Sequence, residues 1–86
     1  MKTRIVYGIG WYKGEPHHED LFDQSWDITR TEAERIAKRD SKSDEYAYMK
    51  VYKSEVEVYE DGNWGDRTDI WEDTYKQGRK VDHWEW

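Results

Sequence analysis

The chain reads as a single α+β domain over residues 1–86: a small antiparallel sheet of about four to five strands, with one helix over about 30–41 packed on one face. Three observations predict it. The 86 residues leave room for only one core. One segment, "DITRTEAERIAKRDSK", carries both start and stop signals of a helix. Much of the rest alternates apolar or aromatic with polar residues and is broken by glycine-containing turns, as antiparallel strands are.

Taken in order, "TRIVYGIGWYK" sets Ile5, Tyr7, Ile9 and Trp11 on one face and reads as the first strand. Gly8 and Gly10 share the other face, which leaves a flat strip for close approach of a helix or a backbone, or marks a bend. "GEPHHEDLFDQ", with the only proline and no periodicity, reads as a loop, and "SWDI" as a short strand. Thr29 is the expected N-cap, with Glu32 completing a capping box and Ile28 and Ala33 a hydrophobic staple. Glu32 and Glu34 near the start, and Lys38, Arg39 and Lys42 near the end, suit the helix dipole. The inward stripe of Ala33, Ile36 and Ala37 is small, so the sheet must supply most of the core.

In "EYAYMKVYKSEVEVYE", Ala47, Met49 and Val51 share one face and Tyr46, Tyr48 and Tyr52 the other, but Val56 and Val58 fall on the tyrosine parity. Either one long strand is covered differently along its two faces, or a bulge near 53–55 flips the register. "EDGNW" carries an Asp-Gly hairpin signal. "TDIWEDTY", "KQGR" and "KVDHWEW" make a second hairpin, with Trp71, Tyr75, Trp84 and Trp86 as candidate cross-strand partners.

Rings must carry this core. Six Trp, seven Tyr and one Phe stand against a single leucine, Leu21, and a core this small leaves some rings exposed, where Trp and Tyr are favoured at interfaces. There is no cysteine, which removes thiolate chemistry and fits a reducing cytoplasm. No apolar run reaches a membrane span, and "MKTRIVYGIGWYKGE" lacks the core of a signal peptide, so the expected location is the cytoplasm of a host cell. The net charge is -6, and 54–75 holds eight acids against Arg67 alone. Such a footprint argues against gripping nucleic acid, whose phosphates need clustered Lys and Arg, and for a basic partner.

Local chemistry offers little else. A calcium loop started at Asp61 gives Asn63, Asp69 and Glu72 as ligands but fails at Gly65, which has no side-chain oxygen, and at Asp66, where glycine is required. His17 and His18 are adjacent and lack metal-ligand spacing, His83 lies far along the chain, and no nucleophile or phosphate-loop motif is present. The expectation is therefore a non-enzyme without metal or cofactor. The tetrapeptides "VYED" and "IWED" echo each other twelve residues apart and would gather four carboxylates if their strands lay side by side.

The candidate partner-binding residues are thus Glu55, Glu57, Tyr59, Glu60, Asp61, Trp64, Asp66, Asp69, Trp71, Glu72 and Asp73. Acids two apart on a strand stand ~6.6 Å from each other, like a row of phosphates, and the rings supply anchors that charge alone lacks. A carbohydrate or small-ligand module using exposed Trp and Tyr is the alternative, as is an oligomerising domain, a homodimer among them, that buries the terminal "HWEW". The capped helix "ITRTEAERIAKR" followed by "YMKVYKSEVEVYEDG", a strand running into an acidic hairpin, resembles the small acidic accessory proteins of phages and mobile elements of the anti-CRISPR and anti-restriction type. That resemblance implies an inhibitor that occupies the nucleic-acid-binding surface of a host defence protein or nucleoprotein complex. No residue's role transfers by motif.

Overall fold

The structure, a computed structural model, describes residues 2–15 and 18–86. Its elements are β1 (Lys2–Glu15), β2 (His18–Ile28), α1 (Arg30–Asp40), β3 (Tyr48–Val58), β4 (Trp64–Lys76) and β5 (Arg79–Glu85). The strands form one five-stranded sheet in the order β2-β1-β3-β4-β5, each neighbouring pair antiparallel. β2 and β3 both oppose β1 and so run parallel to each other, which obliges the chain between them to cross over β1. α1 is that crossover, and the α+β architecture follows.

Thr29 caps the helix from an extended conformation (ψ 154°), its Oγ1 accepting the N–H of Glu32 at 3.1 Å. The reciprocal half of the expected capping box is replaced: the Glu32 carboxylate pairs with Arg35 one turn on, which holds it below the usual carboxylate range. Ala33 and Ala37 are fully buried, and their small side chains seat the helix close on Ile9, Met49, Val51, Trp71 and Tyr75. At the far end the Trp11 indole donates to Asp40 at 2.7 Å.

Two expectations change here. The segment from His18 to Gln24 is strand instead of loop, paired with β1 from Glu15↔His18 to Gly10↔Gln24. Its alternation is hidden because the pairing slips between Trp11 and Tyr12 and again between Tyr7 and Gly8; Pro16 and His17 lie outside the described residues. The glycine strip, moreover, faces away from α1 and is covered by rings. A methyl group at Gly8 would run into the Trp26 indole, and one at Gly10 into the Tyr12 and Tyr52 rings.

Those rings form a second, side-chain layer. Trp26 stacks on Tyr52 at 5.5 Å and Tyr12 on Tyr48 at 4.6 Å, while the Tyr12 and Tyr52 hydroxyls hydrogen-bond to each other. Burial, then that hydrogen bond, push the Tyr52 phenol well above its ordinary ionisation range. Arg67 lies 4.2 Å over the Trp26 ring and Lys50 5.5 Å over Tyr12, so cations roof the layer.

The parity conflict in β3 has a specific resolution. β3 is one unbroken strand in perfect step with β1 from Lys2↔Val58 to Tyr12↔Tyr48. The slips lie in its other neighbour: one between Lys53↔Trp71 and Ser54↔Asp69, where Ile70 is the extra residue, and a second between Val56↔Arg67 and Val58↔Trp64. Val56 therefore keeps the tyrosine face and is fully buried there. The expected cross-strand ring cluster does not form: Trp84 opposes Glu72, one residue out of phase with Trp71, so it falls on the face away from the helix.

Candidate binding surface

Of the eleven candidate residues, the fold buries two and ties two more, half-buried, into ion pairs. Trp71 belongs to the core, 6.2 Å from the Tyr7 ring and roofed by Arg30 at 5.2 Å. Asp73 is only 2% exposed, engaged by the Nδ1 of His83, with the Lys80 ammonium at 4.0 Å. Glu72 points to the opposite face and takes the Lys50 ammonium at 3.2 Å. Asp69, shifted to that face by the bulge at Ile70, accepts from Ser54 at 2.7 Å and meets Arg67 at 3.3 Å. The residue types suited a binding surface; strand register and near neighbours reassign them to holding the sheet together.

The other seven collect at the free end of the β3–β4 hairpin. The turn is tight because Tyr59 and Asn63 close it (Tyr59 N–H to Asn63 C=O, 2.9 Å), with Gly62 at φ 84°, a value that favours glycine. Asp61 stiffens it by accepting the Asn63 backbone N–H at 3.0 Å and its side-chain amide at 2.9 Å. Tyr59 and Trp64 project there, 48% and 37% exposed. Glu55 and Glu57 stand two apart on β3, opposite Ile5 and Thr3 of β1, on the helix-side face beyond the part that α1 covers.

Unpaired charge at this end is predominantly acidic, five carboxylates against Lys2. Glu55, Glu57, Glu60, Asp61 and Asp66 form no ion pair among the described residues. The nearby arginines are already engaged: Arg4 with Asp27 and 5.8 Å from the Trp64 ring, Arg67 with Asp69 and Trp26. Beside the turn, a groove of about 900 Å³ is lined by Lys2, Val58, Tyr59, Glu60 and Gly62. The "VYED" and "IWED" echo does not gather its carboxylates, since Glu60 and Asp61 sit at the turn while Glu72 and Asp73 oppose Tyr52 and Val51.

One cluster escaped sequence reasoning. His83 sits between Asp73 and Glu85, its Nε2 2.9 Å from the Glu85 carboxylate, and the hydrogen bonds to Asp73 and Glu85 raise its pKa above the ordinary 6.5. The spacing of His83 and Glu85, two apart on one strand face, was readable; Asp73 reaches them only through the pairing of β4 with β5. Among the described residues no group of three or more His, Cys, Asp or Glu is arranged to hold a metal ion, and no helix is long and apolar enough to cross a membrane.

Comparison with known proteins adds no relative. No protein-family model, curated protein or solved structure matches this chain.

Proposed function

We propose that this chain is a non-enzymatic binding protein that offers the free end of its β3–β4 hairpin to a basic surface, of the kind that a nucleic-acid-handling protein keeps for phosphates. The observation that carries the reading is the coincidence, at one hairpin end, of five carboxylates without an ion pair among the described residues and two exposed rings. A hairpin tip that only had to stay soluble would tolerate mixed charge. Unneutralised acids supply long-range attraction to a cationic groove and speed encounter. Tyr59 and Trp64 add desolvated contact area, and the groove beside Tyr59 can receive a partner side chain. Occupying such a surface would make the protein an inhibitor of nucleic-acid binding, in keeping with the resemblance to anti-CRISPR and anti-restriction proteins.

The test is affinity capture on the immobilised protein, with elution by single-stranded nucleic acid or by salt, repeated with Glu57→Lys/Glu60→Lys/Asp61→Lys. The expected result is a captured basic protein that nucleic acid displaces and that the charge-reversed variant, still folded by circular dichroism, no longer holds. Capture indifferent to both competitor and charge reversal would overturn the reading.

A further inference from the structure

The sheet has two edges, and they are unlike. β2 is interrupted by two slips of register against β1, and its penultimate residue, Asp27, stands at φ 63°, devices that spoil an edge for further pairing. β5 is the other edge. All seven of its residues are exposed, and Val81, Trp84 and the adjoining Trp86 are 54%, 57% and 66% accessible. β5 contains no proline, and beyond its slip near Tyr75 it runs in step with β4 from Asp82 to Glu85. Trp86 gives its N–H to Ile70 of β4 at 3.1 Å, so by the alternation of a strand the N–H groups of Glu85 and His83 point outward. Asp82 accepts the His83 N–H at 2.9 Å; no hydrogen bond to Glu85 N–H is formed among the described residues.

We propose that β5 pairs antiparallel with β5 of a second copy of this chain, about a two-fold axis, joining the two sheets edge to edge. Charge order along the strand favours that occupant and that direction. β5 is basic where it begins, at Arg79 and Lys80, and acidic where it ends, at Glu85; Asp82, between them, falls at the axis, with its carboxylate turned to the His83 N–H. Antiparallel self-pairing sets the basic end of each copy beside the acidic end of the other; a parallel arrangement would set like against like. Arg79 forms no ion pair among the described residues and can meet Glu85 of the second copy. Trp84 and Trp86 lie at the acidic end, so the same antiparallel order carries them to the basic end of the second copy, where cations can stack on them. An edge-to-edge contact is small, so the dimer forms and dissociates with concentration.

Sedimentation equilibrium of the full chain, from low micromolar to near-millimolar concentration, decides the matter. The mass is expected to rise from 10.6 kDa toward twice that value and stop. Arg79→Glu or Glu85→Arg alone, each entering the interface twice, is expected to weaken the dimer by about tenfold or more through like-charge contact, and the double exchange Arg79→Glu/Glu85→Arg to restore it. Far-ultraviolet circular dichroism confirms that each variant is folded. A monomer at every concentration, species growing past the dimer, or a dimer indifferent to both single reversals would each overturn the proposal.

Discussion

His83 shows how much one side chain depends on its neighbours here. Its imidazole bridges a carboxylate of β4 and one of β5, and its pKa is raised in the folded protein, so folding favours the protonated form. The linkage sign follows from that direction. The stabilisation is fully present below the unfolded value of 6.5 and is lost as pH rises through the higher folded value. Urea midpoints are therefore expected to fall as pH is raised from about 6 to about 9, and His83→Gln to flatten that fall. An unchanged slope in the variant would assign the pH dependence elsewhere. At this scale the sequence was only partly legible: Glu55, Glu57, Tyr59, Glu60, Asp61, Trp64 and Asp66 stay at one end because a hairpin tip is local. Asp69, Trp71, Glu72 and Asp73 are engaged within the fold because their surroundings come from β1, β3, β5 and α1, which no local pattern announces.

Among the elements, α1 was the most legible, because a cap is written within four residues. Its bounds, Arg30–Asp40, follow from Thr29 at one end and from Ser41, which caps the other, its N–H reaching Ala37. Thr29→Ala removes the acceptor for the Glu32 N–H and is expected to cost about 1 kcal/mol, a fall in melting temperature of roughly 4–8 °C for a domain of this size. Thermal circular dichroism checks this; Thr29→Ser should stay close to the parent. β2 was the least legible element, since two slips against β1 hide the period on which strand recognition rests. Both turns after β3 were readable from glycine: Gln77 and Gly78, at φ 52° and 80°, close the β4–β5 hairpin as a two-residue turn.

For the molecule as a whole, one sheet must support two dissimilar layers. α1 with its alanines covers one face, and stacked rings with cations above them cover the other. Met49 is fully buried in the layer beneath the helix, where Ile9 and Val51 also meet Ala33 and Ala37. Met49→Ala is expected to cost about 2–5 kcal/mol, a large part of the ~5–15 kcal/mol that holds a domain of this kind together. Chemical denaturation should show the loss in a single transition detected equally by tryptophan fluorescence and far-ultraviolet circular dichroism. Separate transitions would mean that the ring layer and the helix layer unfold independently.

Ile70 has a consequence that reaches past its own packing. A strand is read in steps of two, and one added residue acts on that reading as an inserted letter acts on a frame. From Trp71 onward, odd positions of β4 look toward the helix; before Ile70, odd positions such as Asp69 and Arg67 look away from it. Every substitution on β4 from Arg67 to Tyr75 therefore has to be interpreted by the side of residue 70 on which it falls, and the second slip, between Trp64 and Arg67, changes the count once more. A single inherited deletion there would exchange inside for outside along the stretch between the two slips without altering any other letter.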